Sequence, residues 1–366
     1  PLPSGLLLLS RHPIIAAGEM VYRVSKGDDG LASKGVVHAR IAPATAPCPI
    51  DVFLTHTQSP FRSGTDIIDS ERLPALKTQL RILGAFVNAR RDPRFPALMM
   101  GDFNVDADDA TVYQFFLEAL GRPTDLWPGF GAPRVQPPRS LGITNDLQRS
   151  FEAKGEHPPK PPDDPRRHQA GFRLDYFLSR PGSLFEPSFG PMEVVLREQS
   201  PGVDMSDHYG VAGRHVEVTE KVFDRNFPIR RVRVALAGFT CLNATGSNPI
   251  AEGNDDEVRF ELGIRAGTID PVPVTSSVFE GVTVGTERVM EGPSLEFPGD
   301  PGDGLEIRVR GTEVGGIFGD TDLGTVRVTV TRSELLAGLD TVVRRTMPLL
   351  TGPDGEYAVE VAIFTT

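Results

Sequence analysis

Short apolar runs that stop abruptly at polar residues dominate the first part of the chain. Leu6-Leu7-Leu8-Leu9 ends in Ser10, Val52-Phe53-Leu54 ends in Thr55-His56, and Ala97-Leu98-Met99-Met100 empties into Gly101-Asp102-Phe103-Asn104. Runs this short and this apolar predict buried strands of a sheet covered on both faces, with polar residues at the strand ends, where sites collect. Residues 71–91 instead place Leu76, Leu80, Leu83 and Val87 near the helical period, which predicts the clearest helix of the chain. A second helix is expected over residues 110–120, and returning strands over 173–178 and 192–196. Between them, Pro158, Pro159, Pro161, Pro162 and Pro165 mark residues 151–170 as an extended surface excursion.

The pattern changes near residue 223. Strand-length segments at 231–236, 257–264, 305–310 and 325–330 alternate with Gly, Asp and Pro turns, which predicts an antiparallel β-sandwich. Two domains are therefore expected: residues 1–222, mixing strands and helices, and residues 223–366, an all-β accessory domain. The 33 prolines and 38 glycines agree with many turns and argue against an all-helical chain.

Charge sharpens that division and narrows the partners. Residues 223–366 hold 13 Arg and no Lys against 22 Asp and Glu, so most of the net charge of −11 sits there. An acidic surface repels polyanions and disfavours nonspecific nucleic-acid binding, while small phosphodiesters and lipid headgroups stay open. Cys48 and Cys241 fall on opposite sides of the expected boundary, which leaves neither a disulfide framework nor a Cys-rich zinc site. No apolar run reaches the length of about 18 residues that a transmembrane helix needs.

Four short motifs carry the chemistry: Thr55-His56-Thr57-Gln58, Gly101-Asp102-Phe103-Asn104, Leu174-Asp175-Tyr176-Phe177 and Ser206-Asp207-His208-Tyr209. Alone, Gly-Asp-Phe-Asn is an ordinary β-turn sequence, Ser-Asp-His a helix cap, and Asp175 a strand-end carboxylate in a surface pair. Their order, each at the end of a predicted strand, outweighs those readings. Hydrolysis of a phosphodiester needs carboxylates for a hard cation, a base for water and donors for the developing charge; Asp, His and Asn supply all three. His12, His38, His157, His168 and His215 are assigned to surface or core, Trp127 with Asp125 to a packing cluster, and Lys34 either to the phosphate or to solvent.

This ordered set resembles the endonuclease/exonuclease/phosphatase superfamily over about residues 1–215. Ser4-Gly5-Leu6 with Ser10-Arg11-His12-Pro13-Ile14, and Ala32-Ser33-Lys34-Gly35-Val36, are similar to its neutral sphingomyelinase branch; Arg72 and Gln79 suit the helix after its histidine strand. The resemblance implies an α/β four-layer sandwich of two β-sheets flanked by helices, incomplete at its N-terminus. It implies His208 as catalytic histidine, Asp175 as the carboxylate orienting it, and Asp207 as a metal-side aspartate. Asp102 and Asn104 would position the water and the scissile phosphate, and His56 would contact the phosphate, with the acid and base roles of the two histidines undivided. The implied cofactor is Mg²⁺ or Mn²⁺, and the implied substrate is sphingomyelin or a related phospholipid met at a membrane surface. A nuclease using a basic track of Arg72, Arg81, Arg90 and Arg91 is the alternative, and a binding protein with a decayed catalytic domain is the third.

The resembled family normally begins with two further strands that carry an Asn and then a Glu, its principal metal ligand. These 366 residues contain neither strand, and Glu19 and Glu71 lie in the wrong places to replace that Glu. On that comparison the chain is expected to be the larger fragment of a longer enzyme, binding Mg²⁺ poorly and turning over weakly by itself. In the C-terminal part, Asp255, Asp256 and Glu257 in one loop and Asp320 and Asp322 in another are similar to calcium-dependent lipid-binding sandwich modules, which implies a Ca²⁺ site; ordinary polar turns explain them equally well.

Overall fold

The computed structural model of the protein describes residues 4–61, 68–127, 144–146, 171–196, 206, 208–213, 216–221, 228–244, 256–290, 292–316, 319–339, 342–352 and 355–366. The chain folds as two units, Pro1–Leu80 with Pro96–Pro181 and Glu186–Thr219, and Arg81–Phe95 with Gly182–Phe185 and Glu220–Thr366. The expected excursion over residues 151–170 lies outside the described residues, as do His157, His168, Asp207, His215 and Asp255.

The first unit is built on strands β1 (Ile14–Val21), β2 (Gly35–Ile41), β3 (Ile50–His56) and β4 (Ala97–Asp102), with helix α2 (Ala110–Ala119) following β4; helix α1 (Arg72–Arg90), which follows β3, has its residues up to Leu80 in the first unit and the rest in the second. Three two-residue strands come next, β5 (Thr124–Asp125), β6 (Asn145–Asp146) and β7 (Gly171–Phe172), and then β8 (Asp175–Arg180). Six of these form one sheet in the order β1-β2-β3-β4-β8-β5, while β6 pairs with β7. Strands β9 (Phe185–Phe189), β10 (Met192–Val195), β11 (Gly210–Gly213) and β12 (Val216–Glu220) add two further pairs, β10 with β11 and β9 with β12. Strands β3 and β4 run parallel, which is why a helix must carry the chain between them. That helix, α1, occupies the place its periodicity predicts, with Leu76, Leu80, Leu83, Phe86 and Val87 fully buried. The start of α2 is fixed by Asp109, whose carboxylate accepts from the amides of Thr111 and Val112.

Register decides where the motifs meet. Gly35 faces His56 between β2 and β3, His56 faces Asp102 between β3 and β4, and Asp102 faces Asp175 between β4 and β8. Directly opposed residues present their side chains on one face of a sheet, so His56, Asp102 and Asp175 form a row across three strand ends. Close packing under the row requires glycine. At Gly101, with φ of +127°, a Cβ would fall 2.0 Å from the Thr55 carbonyl oxygen.

One sequence expectation fails here. Leu6 to Ser10 do not form a buried strand: the segment is irregular, with Leu7 72% and Leu9 82% exposed. Apolar side chains favour burial, but a strand also needs a partner for its backbone groups, and among the described residues β1 pairs with β2 alone. His38, by contrast, is a core residue; its Nε2 lies 2.7 Å from Asp51 Oδ1, and Arg40 donates to both oxygens of the same buried carboxylate. Those hydrogen bonds and the Arg40 guanidinium offset the cost of burying a carboxylate inside a sheet.

The second unit is β-rich. Its strands β13 (Arg231–Asn243), β14 (Asp256–Arg265), β15 (Val274–Thr275), β16 (Phe279–Val282), β17 (Glu287–Val289) and β18 (Ser294–Pro298) lead to the long hairpin β19 (Gly304–Gly316) and β20 (Gly319–Thr331). After α3 (Arg332–Ala337) come β21 (Val342–Thr346), β22 (Leu350–Thr351) and β23 (Glu356–Thr365). One sheet is ordered β17-β13-β23-β21 with β18 and β22 at its side, the other β15-β14-β19-β20 with β16. Alternate residues of both, among them Val232, Val234, Leu236, Val258, Phe260, Leu262, Ile307, Val359 and Val361, close a shared apolar core, as two antiparallel sheets packed face to face require. The calcium expectation gains no cluster among the described residues: Asp256 is buried and accepts from the Tyr357 hydroxyl, while Asp320 and Asp322 pair with Arg259 and Arg310.

Candidate active site

The Gly101-Asp102-Phe103-Asn104 segment turns sharply as β4 ends. Asn104 takes a left-handed backbone, φ +50°, which an asparagine tolerates better than most residues. Asp102 Oδ1 accepts from the Asn104 amide at 2.8 Å, closing an Asx-type turn, and Asn104 Nδ2 donates to Asp102 Oδ2 at 3.1 Å and to the Thr57 carbonyl at 3.0 Å. The turn expected for this sequence is therefore real, and it also fixes a carboxylate and an amide side by side. Thr57 locks the neighbouring strand end, its amide donating to the Asp102 carbonyl and its hydroxyl to the Phe103 carbonyl.

Opposite Asp102 stands Asp175, whose Oδ2 lies 2.7 Å from His208 Nδ1. That contact orients the ring. One oxygen or nitrogen from each of Asp102, Asp175 and His208 lies within 4.8 Å of the others. His56 completes the group, with Nε2 3.3 Å from Asp102 Oδ2. The structure thus gathers His56, Asp102, Asn104, Asp175 and His208 in one place.

Electrostatics in the group run in opposite directions. Burial first, then the adjacent carboxylate of Asp175, pushes the Asp102 pKa up, because two like charges opposed across a sheet resist ionising together. Burial also pushes His56 down, to about 4, with the nearby ammonium of Lys34 acting in the same sense. Two carboxylates with oxygens this close together suit a hard divalent cation, which would relieve the repulsion that raises Asp102.

Lys34 is not solvated, as one of its two expected readings had it. Its ammonium is buried, 2.8 Å from Asp29 Oδ1 and donating to the Thr57 carbonyl at 2.8 Å, so its charge is held against the loop that follows β3. Gln79 on α1 accepts from the Gln58 amide at 2.7 Å and donates to the Val24 carbonyl at 2.5 Å. Arg72 donates to the Phe61 carbonyl at 3.0 Å. On the other side, Asp125 accepts from the Arg173 guanidinium, the Tyr113 hydroxyl and the Trp127 amide, a polar brace where packing was expected. The residue that sequence reasoning missed is Thr144, buried behind Asp175 and bonded to its amide; it follows no hydrophobic pattern that would have marked it.

A family model, the Endonuclease/Exonuclease/phosphatase family, matches residues 1–208, which hold every residue of this group. The chain belongs to that family. Among solved structures it is similar to beta toxin from Staphylococcus aureus, at 22% identity and a TM-score of 0.41, over 56% of this chain and 65% of that one. Sphingomyelinase C from Streptomyces griseocarneus is similar at 23% identity and a TM-score of 0.36, over 56% and 66% of the two chains. D. rerio TDP2 complexed with single-strand DNA product is similar at 13% identity and a TM-score of 0.39, over 56% and 68%. The family member described here thus spans less than two thirds of the beta toxin chain. No curated protein matches it.

Proposed function

We propose that the protein is a divalent-metal-dependent phosphodiester hydrolase whose substrate is sphingomyelin or a related phospholipid. The observation that carries this reading is the Asp175–His208 pair standing opposite Asp102 and Asn104 at adjacent strand ends. A histidine tied through Nδ1 to a carboxylate holds its second nitrogen ready to exchange a proton with water or with the leaving oxygen. Asn104, whose N–H groups are already given to Asp102 and Thr57, offers its side-chain oxygen, and Asp102 a carboxylate beside it, which suits accepting from the attacking water and holding it in line. His56, kept neutral at ordinary pH, is a hydrogen-bond donor for phosphoryl charge and adds no positive charge before that charge develops.

Of the Asp102, Asp175 and His208 group, the two carboxylates would hold the cation while His208 stays bonded to Asp175, with Asp207 as the further proposed ligand. Such an ion, when bound, neutralises negative charge on the phosphate.

The test is Mg²⁺-dependent release of phosphocholine from sphingomyelin by the protein, beside its His208→Ala variant and a duplex DNA substrate. Release that disappears in the variant supports the proposal. Cutting of DNA without release keeps the hydrolase and replaces the substrate, and silence on both substrates favours a binding protein that has lost its chemistry.

A further inference from the structure

We infer that Thr144 is a positioning residue for the Asp175–His208 pair, a clamp that ties the backbone of the orienting carboxylate to the backbone that carries the histidine. The inference rests on reading that pair as catalytic. Thr144 is 1% exposed. Its Oγ1 accepts from the amides of Leu174 at 3.0 Å and Asp175 at 3.2 Å. Its carbonyl accepts from the Tyr209 amide at 2.7 Å, and its own amide donates to the Phe172 carbonyl at 3.0 Å. The next residue, Asn145, bridges to His208 and is in register with Phe172.

One residue therefore reaches three stretches of chain: the β7 strand, the first residue of β8, and the segment holding His208. Bonds from its backbone alone would align the Tyr209 side with β7. The hydroxyl does something further, because it grips the amide of Asp175 itself. The Asp175 carboxylate meets His208 Nδ1 at 2.7 Å, near the short end for such a bond, so a drift of a few tenths of an ångström at either backbone weakens it. A purely structural Thr144 would cost stability when altered and leave the His208 hydrogen bond and kcat as they were.

Thr144→Val keeps the shape and deletes the hydroxyl; Thr144→Ser keeps the hydroxyl and drops a methyl. Thr144→Ala deletes the hydroxyl with less crowding and serves if the valine variant does not fold by near-ultraviolet circular dichroism. The first readout needs no substrate: the far-downfield imidazole Nδ1 proton of metal-free protein at constant pH, assigned by its loss in His208→Ala. It should vanish or move upfield in Thr144→Val and stay in Thr144→Ser. The second readout is turnover, where Thr144→Val should lower kcat by about 10- to 100-fold with KM within about twofold, and Thr144→Ser should recover most of it. A folded hydroxyl-deleted variant with the wild-type proton signal overturns the inference whatever its activity. A signal that responds in protein that hydrolyses no phosphodiester keeps the clamp and removes the catalytic reading of the pair instead.

Discussion

Gly101 shows how little freedom the site leaves to a single residue. Its Cβ would sit 2.0 Å from the Thr55 carbonyl oxygen and 3.1 Å from the Thr55 amide nitrogen, and both obstacles are backbone, so no side chain can swing aside. With φ at +127°, the position is strained for any L side chain as well. Gly101→Ala should therefore lose about 3 kcal/mol or more in urea unfolding, above the usual range for surface changes. His56 supplies a residue-scale prediction of opposite character. Its folded pKa is lowered from 6.5 to about 4, so the unfolded chain takes up a proton that the folded chain refuses. The stability linked to His56 is thus complete above pH 6.5 and is lost as pH falls toward 4. A ring-proton NMR titration of metal-free protein should place the His56 midpoint near 4; a midpoint near 6.5 would mean that the ring is solvated.

At the scale of elements, Gln79 links α1 to the strand end that presents His56. It is fully buried, and its amide group serves the Gln58 amide and the Val24 carbonyl at once. Gln79→Leu fills the space and leaves both backbone groups without their partner, at about 1–3 kcal/mol for each buried group unpaired. Urea unfolding should show a loss of that order, and hydrogen exchange at Gln58 should accelerate more than at core amides of β3, because the loop opens before the sheet does. The elements themselves were largely legible. Helix α1 follows from Leu76, Leu80, Leu83 and Val87, and β3 and β4 from apolar runs that stop at His56 and Asp102, while β8 begins at Asp175, two residues inside the strand expected over 173–178. Periodicity reads side-chain burial, and these elements bury side chains. It cannot read backbone partnership, so Leu6 to Leu9 look like a strand and are not one, and Thr144, which acts through main-chain amides, gives no sign at all. The meeting of the motifs was legible only as a chain of strand ends; the row from His56 to Asp175 depends on register, which no local pattern states.

For the whole molecule the informative quantity is charge, and it separates the proposed substrates. The net charge is −11, and a duplex is a polyanion sheathed in counterions. If DNA were held by the four arginines of the alternative reading, Arg72, Arg81, Arg90 and Arg91, about four neutralised phosphates would give a log–log salt slope near −3.6, or about a 10²-fold loss of affinity between 50 and 200 mM salt. The side chains give that track little support. Arg72 is spent on the Phe61 carbonyl and faces Asp28, and the Arg90 guanidinium lies 5.6 Å from the ring centre of Phe86 on its own helix. A phosphocholine headgroup carries no net charge and no condensed counterions, and an acidic protein neither gains nor loses much long-range attraction to it when salt is added. Measured on sphingomyelin in detergent micelles, kcat/KM should change by less than about twofold across that salt range, and any cleavage of duplex DNA should stay slow at the low-salt end, where repulsion is least screened. A duplex activity that is fastest at low salt and falls about 10²-fold by 200 mM would instead reveal a basic groove that the overall charge conceals, and would move the substrate from lipid to nucleic acid.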